Sequence, residues 1–456
     1  MAMGISLAQR RTFIGLLAAL IIVILIALSW IALLSYRLEL IARDIDEASI
    51  RCTPSIAEDA AGHLHMAYGT AEGLMFASEN DGVWTIEPII ESASYDMPSF
   101  RAASLAIDGD GWAHVASVSY WEENETWITK LMHSRNSASG WESEVICQEV
   151  STYCGASLAI DSSSRLHIAY ATRAGNSYLD ANLFYATNAI GHWALYDISS
   201  RINAPLMEGA SKPRIVVDNE DRPHIAFGWP YSAVYVTNLT GVSTMEIISY
   251  GGETDSSVAA YSQPSILADA DGVVHVLCFS GSRETYLDDG VISITHFIVH
   301  DGVGIYENRT VKSDTEFSNA ITNAIKDDEG DICLVYALDH EVGFAKLKGV
   351  EEVSLKTLHR FEEHRHRSSN ALSVILRDNG EMVVSKPYRP VGYLTDSYSL
   401  SQRVYFAAVP IQKPLLALTF TALLLVAALR TSKRERTEEE KWRVVTQEKD
   451  GDHPPE

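Results

Sequence analysis

The sequence predicts an all-β fold, a seven-bladed β-propeller ectodomain flanked by two transmembrane helices. The prediction rests on three observations. A strand–turn–strand pattern occurs seven times, most of the repeats contain a second pair of strands, and an uncharged apolar stretch lies near each end of the chain. Repeats of about 50 residues with four short strands each are typical of propellers.

The strand–turn–strand pattern is clearest over residues 157–170, where small and large side chains alternate on both sides of a turn. Alternation with a period of two around an Asp-x-x-Gly or Asp-x-x-Ser turn predicts a β-hairpin, and aspartate is favoured at the first turn position. The seven turns begin at Asp59, Asp108, Asp161, Asp218, Asp269, Asp327 and Arg377. We therefore assign the six aspartates a structural role in the repeat.

A glycine downstream of each of the first six turns separates two further apolar strands, so each unit holds four strands, A to D. These glycines are Gly82, Gly140, Gly191, Gly241, Gly302 and Gly349. The seventh unit contains candidates for strands A, B and C only. Because an unpaired strand edge would leave the ring open, we expect residues 40–50 to supply the missing strand.

The alternating direction of the strands in a blade sorts the connections onto two faces. The A–B and C–D turns lie on one, the turn face. The B–C and D–A connections lie on the other, the loop face. The seventh C strand ends at the turn face and the borrowed strand begins there, so we expect the loop face to point away from the membrane.

Two uncharged apolar stretches bracket the repeats. Residues 12–36 are long enough to cross a bilayer as a helix, and two arginines in residues 1–11 place the N-terminus in the cytoplasm. Residues 413–430 form a second, shorter candidate helix, and the basic residues of the charged tail, 431–456, place that tail in the cytoplasm too. The prediction is a two-pass protein of the cell membrane with an extracytoplasmic propeller over 37–412.

The composition limits the classes of partner. A formal net charge of −24 argues against nucleic acid or anionic lipid as the main partner. We favour an acidic surface that is simply solvated, and capture of cations or basic ligands is the alternative. Five cysteines are few for a disulfide scaffold. Cys147 and Cys154 could bridge in an oxidising compartment, whereas Cys278 and Cys333 fall within predicted strands and are expected to be buried thiols.

Histidines follow five of the turns at the same strand position. They are His65, His114, His167, His224 and His275. A ring of metal-binding imidazoles is one interpretation. Equivalent positions in different blades lie far apart, however, and buried polar groups need partners, so we expect each histidine to bond to a neighbouring backbone group or turn. Residues 108–111 and 269–272 resemble fragments of calcium loops, but the other ligands of such a loop are not in register. We therefore predict no metal and no cofactor.

The pattern SLAID-x-x-x-x-LHIAY resembles the propeller repeats of surface proteins related to the Asp-box repeats of sialidases. The resemblance covers about residues 53–409. It departs from a true Asp box, Ser-x-Asp-x-Gly-x-x-Trp, in the spacing of Asp and Gly and in the aromatic residue that follows. The resemblance implies a fold and a surface for recognition, without implying a reaction.

Aromatic residues and arginines in the predicted B–C and D–A connections are the candidate ligand-binding residues. Aromatics of this kind are common at binding surfaces, and arginines bind carboxylates with two parallel hydrogen bonds. The candidates are Tyr120, Trp121, Tyr178, Trp229, Tyr231, Tyr286, Arg365, Arg367, Tyr388 and Arg389.

No hydrolytic motif is present in the sequence, and we predict no catalytic residue. The sequence thus predicts a membrane-anchored propeller that binds an extracellular protein or glycan, or serves as a scaffold, through the loop face. The alternative is a cell-surface glycoside hydrolase of the sialidase type, or a lyase, with its site at the mouth of the channel.

Overall fold

The computed structural model describes the repeat region in segments. The described residues are 37–45, 54–70, 73–80, 83–91, 100–123, 126–148, 150, 155–173, 181–201, 213–229, 232–240, 244–250, 259–261, 264–282, 291–300, 303–312, 321–326, 330–337, 341–348, 352–360, 373–376, 381–388 and 402–410. Nearly all of these residues belong to β-strands. The chain divides into two units, residues 1–410 and 411–456, and every described residue lies in the first.

The described strands form seven small antiparallel sheets. The first described strand, β1 (Arg37–Ile45), belongs to the last sheet. Sheet 1 contains β2 (Ser55–Glu58), β3 (Leu64–Thr70), β4 (Gly73–Asn80) and β5 (Val83–Glu91). Sheet 2 contains β6 (Phe100–Ile107), β7 (Ala113–Glu123), β8 (Thr126–Ser137) and β9 (Gly140–Gln148). Sheet 3 contains β10 (Ala156–Ile160), β11 (Leu166–Arg173), β12 (Ala181–Thr187) and β13 (Ala194–Asp197).

A single helical turn, α1 (Ile198–Arg201), follows sheet 3. Sheet 4 contains β14 (Arg214–Val217), β15 (Pro223–Trp229), β16 (Ser232–Thr237) and β17 (Thr244–Tyr250). Sheet 5 contains β18 (Ala259–Tyr261), β19 (Ser265–Ala268), β20 (Val274–Ser282), β21 (Val291–His300) and β22 (Val303–Lys312). Sheet 6 contains β23 (Ile321–Lys326), β24 (Ile332–Ala337), β25 (Glu341–Lys348) and β26 (Glu352–Arg360). Sheet 7 contains β27 (Ser373–Leu376), β28 (Glu381–Tyr388) and β29 (Gln402–Pro410), with β1 at its edge.

The sheets follow one another in a closed order. The strand that precedes the A–B turn of each sheet contacts the corresponding strand of the next sheet. The contacts run from β2 through β6, β10, β14, β19 and β23 to β27, and β27 contacts β2. A hydrogen bond from the backbone N–H of Ile56 to Oγ of Ser373 also joins the first sheet to the last. These contacts are those of a β-propeller-like fold.

Strand β1 pairs antiparallel with β29 as the outer strand of sheet 7. The register places Arg37 opposite Ala408 and Ile45 opposite Gln402, with two irregularities between. The sequence led us to expect an N-terminal strand at this edge over 40–50, whereas the paired strand begins at Arg37 and ends at Ile45. The chain therefore enters β1 and leaves β29 at the same end of this strand pair.

The core lies between neighbouring sheets, because each described cluster of buried and partly buried apolar side chains combines residues of two adjacent sheets. Between sheets 4 and 5, the rings of Tyr235 and Phe297 meet edge to face with centroids 5.6 Å apart. Cys278 is fully buried in the same cluster. Cys333 of sheet 6 is also buried, so the expectation of two buried thiols is confirmed. Burial raises the pKa of Cys278 to about 12, which keeps it a neutral thiol at physiological pH.

The described residues contain no helix that is both long and apolar enough to cross a membrane. The predicted helices at 12–36 and 413–430, and the predicted cytoplasmic segments 1–11 and 431–456, lie outside the described residues. Cys154 does as well. Sγ of Cys147 donates to the carbonyl of Gln148 at 3.1 Å, so Cys147 is a thiol and the predicted bridge is not formed.

Candidate functional site

Each of the five described aspartate turns is closed by the same hydrogen bonds. In the turn of sheet 2, the N–H of Gly111 donates to the carbonyl of Asp108, and Oδ1 of Asp108 accepts from the N–H groups of Asp110 and Trp112 at 3.0 and 2.8 Å. Asp59, Asp161, Asp218 and Asp269 repeat this pattern. Turn chemistry therefore occupies the carboxylate of Asp108 and of Asp269 at the two calcium-like segments. Among the described residues, no group of three or more His, Cys, Asp or Glu side chains is placed to hold a metal.

The fourth residue of each turn has a left-handed backbone. Gly62, Gly111 and Gly272 have φ of +86°, +84° and +79°. Glycine adopts this conformation without strain. Ser164 and Asp221 hold the same place in sheets 3 and 4 with φ of +57° and +63°. The repeat tolerates a side chain there because the other bonds of the turn remain intact.

The repeated histidine is the second partner of each turn aspartate. Its Nε2 lies 3.1 Å from Oδ2 of the aspartate in His114–Asp108 and in His167–Asp161, and 3.0 Å in His224–Asp218. His65 and His275 make the same contact at 3.2 and 3.4 Å. The expectation that each histidine bonds to a neighbouring turn is thus confirmed in all five sheets. In each aspartate, Oδ1 accepts hydrogen bonds from the backbone of the turn, and Oδ2 contacts the histidine on the following strand.

The other histidine nitrogen reaches strand C, where the partner differs between sheets. In sheets 3 and 4, Nδ1 of the histidine lies 2.6 Å from the hydroxyl of Tyr185 and of Tyr235, respectively. In sheets 2 and 5, it lies 3.0 and 2.9 Å from Nε2 of His133 and His296. In sheet 1 the strand C residue is Phe76. That ring stacks on His65, whose buried Nδ1 has no hydrogen-bond partner.

In sheet 2 the second histidine continues to a glutamate. Nδ1 of His133 lies 3.0 Å from Oε1 of Glu144. In sheet 5, Nδ1 of His296 lies 3.6 Å from Oε2 of Glu307, which is too long for a hydrogen bond. The chain from Asp108 to Glu144 contains three hydrogen bonds between two carboxylates. Three bonds need three protons, and two neutral imidazoles carry only two. With both imidazoles neutral, one of the three contacts therefore lacks a proton.

Burial and hydrogen bonding set the charges of these groups. Burial raises the pKa of Asp59, but hydrogen bonds from the backbone N–H of His63 and from the His65 ring outweigh it and hold that pKa at about 2. The same balance lowers the pKa of Asp108, Asp161, Asp218 and Asp269. Burial lowers the pKa of the histidines, and hydrogen bonds to carboxylates offset this only in part. This applies to His114, His133, His167, His224 and His275. An ionised aspartate therefore faces a neutral histidine near neutral pH.

The order Asp–His–Tyr or Asp–His–His has the connectivity of a charge-relay system, but its last member is inaccessible. Tyr185 and Tyr235 are 1% and 3% exposed, and burial raises the pKa of both hydroxyls to about 12. A substrate cannot reach a group in this position. The clusters stabilise the junction between the turn and the first three strands of each sheet.

Contacts between sheets bind the turns and outer strands together. The carboxylate of Asp221 in sheet 4 accepts hydrogen bonds from the N–H and hydroxyl of Ser162 in sheet 3 at 2.9 and 2.8 Å. At the outer strands, the indole N–H of Trp193 donates to Oε1 of Glu144 in the preceding sheet at 2.9 Å, and Trp141 donates to Glu87 in the same way. The turn face is thereby held by bonds within and between the sheets.

The candidate ligand-binding residues lie in two kinds of place. Tyr120 and Trp121 lie within β7, opposite Thr129 and Ile128 of β8. Trp229 ends β15, and Tyr388 ends β28. Their prediction as loop residues was wrong because the hairpins extend further than the apolar pattern indicated. The others lie outside the described residues: Tyr178, Tyr231, Tyr286, Arg365, Arg367 and Arg389. Asp327, the sixth turn aspartate, lies outside them too.

The sequence analysis missed the strand C partners of the histidines. Tyr185, Tyr235 and His296 each lie six residues before the marker glycine of their unit, and His133 lies seven before it. This spacing from the glycine could have predicted the partners of the histidines. It did not stand out in the sequence, because each residue also fits an ordinary apolar strand pattern.

Comparison with known proteins identifies no family. No protein-family model matches this sequence, and no curated protein matches it. Among solved structures, an ulvan lyase from a new polysaccharide lyase family has a TM-score of 0.48 at 12% identity, over 80% of this chain and 95% of that one. A lectin from Aleuria aurantia has a TM-score of 0.41 at 10% identity, over 69% and 96%.

The NanB sialidase from Streptococcus pneumoniae has a TM-score of 0.40 at 10% identity, over 82% of this chain and 70% of that one. All three of these matches have low sequence identity. They carry no argument about chemistry.

Proposed function

We propose that this protein is a membrane-anchored, seven-bladed β-propeller that recognises a protein or glycan ligand through its loop face. The observation that carries the proposal is the contrast between the two faces. The A–B turns occupy segments of nearly uniform length, namely 59–63, 108–112, 161–165, 218–222, 269–273, 327–331 and 377–380. Connections on the loop face differ widely.

The B–C connections show that variation most directly. Sheets 1 and 2 connect these strands through 71–72 and 124–125, whereas sheets 3, 5 and 7 use 174–180, 283–290 and 389–401. The D–A connection between sheets 6 and 7 occupies 361–372. Binding residues are found disproportionately on loops that a rigid scaffold positions. The loop face offers such loops, and the candidate aromatics and arginines lie in or next to them.

Membrane anchoring is the second part of the proposal. Arg37 lies opposite Ala408 in the pairing of β1 with β29. The apolar stretches 12–36 and 413–430 would therefore join the propeller next to each other, at the turn face. Basic residues at 10–11 and 430–436 would place both termini in the cytoplasm. The loop face would then point away from the bilayer, toward ligands outside the cell.

The test compares the two faces of the purified full chain. One variant carries Trp121→Ala, Trp229→Ala and Arg365→Ala. The matched control carries Asp110→Ala and Asp271→Ala on the turn face. Binding is measured on an immobilised glycan panel and by crosslinking at the surface of intact cells.

We expect the loop-face variant to lose at least about tenfold in affinity for whichever ligand the native chain binds, and the control to retain it, because a few anchors dominate most interfaces. Equal binding by both variants would contradict the assignment of the loop face. Release of sugar products from the panel by the native chain would instead support the sialidase-like or lyase alternative.

A further inference from the structure

A serine on the first strand of most sheets bridges the seam to the following sheet. It lies four residues before the turn aspartate, or before Arg377 in sheet 7. Its Oγ accepts a hydrogen bond from a backbone N–H on the first strand of the next sheet. The pairs are Ser55 with Leu105 at 2.9 Å, Ser104 with Leu158 at 2.9 Å, Ser157 with Ile215 at 3.3 Å, Ser373 with Ile56 at 3.1 Å, and Ser265 with Ala324.

The strand geometry explains why this N–H needs a partner outside its own sheet. The N–H of each turn aspartate donates to the carbonyl four residues later, so alternate positions along the first strand bond to the second strand. The residue three places before the aspartate falls between those positions, and its N–H points away from the second strand. The serine of the preceding sheet supplies the acceptor. A buried N–H left without one is costly.

Arginine replaces this serine in sheet 4. Arg214 pairs with Ala226 as Ser157 pairs with Ala169, so both side chains leave the same register position. On the following strand, Ile266 stands where Ile215 stands on its own strand, three residues before the aspartate. A serine oxygen would accept the N–H of Ile266, but the guanidinium of Arg214 contains only donors.

Arg214 as a whole is half-buried, but its Nε is buried without a hydrogen bond. No carboxylate among the described residues forms an ion pair with the guanidinium. Burial lowers the pKa of Arg214, although a guanidinium remains protonated in proteins. A charge that is removed from water is normally paired, because leaving it uncompensated is unfavourable. Strands β14 and β19 are in contact, so the donors of Arg214 and the N–H of Ile266 belong to the same seam.

We infer that the seam between β14 and β19 is a binding site for an anionic group, a carboxylate or a small oxyanion. Arg214 provides the charge and the paired donors, and the N–H of Ile266 provides a further donor. The seams closed by serine have no comparable site, because there the N–H already has its acceptor. The inference concerns the inner strands and is independent of the ligand proposed for the loop face.

The experiment measures thermal unfolding of the purified full chain against sodium acetate, sodium sulfate and sodium chloride at constant ionic strength. Acetate tests a carboxylate, sulfate tests an oxyanion, and chloride tests charge alone. We expect a saturable rise in Tm with acetate or sulfate for the native chain, as ligand binding to the folded state requires. Arg214→Ser should lose at least about nine-tenths of that saturable rise, while the general effect of sulfate on stability remains.

Two further variants keep the result decisive. Arg135→Ser removes an exposed arginine from β8 and should respond to anions as the native chain does. In anion-free buffer, Arg214→Ser should be at least as stable as the native chain, because serine restores the acceptor for Ile266. If it does not fold, Arg214→Lys is measured instead and should bind about tenfold more weakly, since lysine lacks the paired donors. Identical anion responses in the native chain and in the folded Arg214 variant would overturn the inference.

Discussion

Sheets 2 and 3 share the same aspartate turn and histidine but differ in the side chain that the histidine contacts next. Both begin with an aspartate turn whose carboxylate bonds to the histidine six residues later, at 3.1 Å in each. In sheet 3 the histidine then meets the hydroxyl of Tyr185, and the polar chain ends there. In sheet 2 it meets His133, and the chain continues to Glu144, whose side chain is 56% exposed.

The difference separates what the repeat requires from what it tolerates. The aspartate and its histidine are common to both sheets, while the third position accepts tyrosine or histidine. Phe76 of sheet 1 shows that the third position can even lack a polar group, at the cost of an unpaired nitrogen on His65. The aspartate should therefore contribute most to stability, the third residue less, and the protonation of the chain least.

The largest expected effect follows loss of the shared aspartate. Asp161→Ala removes the acceptor for two backbone N–H groups and for the side chains of Arg165 and His167. Because His167 would stay buried without its acceptor, although Arg165 is 40% exposed, we expect the free energy of unfolding to fall by about 3–5 kcal/mol. Denaturant unfolding followed by circular dichroism measures it.

The comparison with sheet 2 sharpens this prediction. Asp108→Ala should cost the same within about 1 kcal/mol if the aspartate acts alike in both sheets. Asp110→Ala, which alters an exposed side chain of the same turn, should cost less than about 0.5 kcal/mol. A loss for Asp161→Ala as small as that of Asp110→Ala would show that the turn does not depend on its carboxylate.

A smaller effect is expected at the third position. Tyr185→Phe removes the hydroxyl that bonds to Nδ1 of His167 and leaves that nitrogen as it is in His65 of sheet 1. The expected cost is about 1–2 kcal/mol, the penalty for one buried unsatisfied group. The reciprocal change, Phe76→Tyr, should give His65 a partner and raise the stability by up to about 1 kcal/mol.

Tyr196→Phe is the control, since Tyr196 stacks on Tyr185 with ring centroids 5.8 Å apart but is less buried. It should stay within about 0.5 kcal/mol of the native chain. If Tyr185→Phe matched this control, the hydroxyl of Tyr185 would contribute nothing to stability. The stacking of the rings would then explain why sheets 2 and 3 both carry a ring at this position.

Much of the fold could be predicted from the sequence, because the strands and turns of the repeat are determined by residues close together in the chain. Alternation with a period of two predicts the strands, and an Asp-x-x-Gly turn predicts the hairpin between A and B. The missing D strand in the seventh unit pointed to a contribution from the N-terminal segment. Its register did not follow, because the pairing of β1 with β29 contains irregularities that no local pattern encodes.

The polar framework was only half predictable. The histidines were visible because they recur at one spacing from the turn. Arg214 was not, because its significance depends on Ile266, a residue of the neighbouring sheet that only the closed order of strands brings near. The extent of β7, which contains Trp121, also depends on pairing with β8 and exceeds the apolar pattern.

The smallest expected effect concerns pH and compares the two chemistries directly. Burial lowers the pKa of His133 below its ordinary value of 6.5. A group whose pKa is lower in the folded chain than in the unfolded chain stabilises the fold at pH values above its unfolded-state pKa. This contribution is lost as the pH falls below the unfolded-state pKa.

His133→Tyr converts the third position of sheet 2 to that of sheet 3 and removes one such group. The variant should therefore lose less Tm between pH 8 and pH 5 than the native chain, with stability at pH 8 within about 1 kcal/mol. Tyr185→His, the reverse change in sheet 3, should lose more. Parallel Tm profiles for all three chains would mean that the third position does not couple to protonation, and that the two chemistries differ in shape alone.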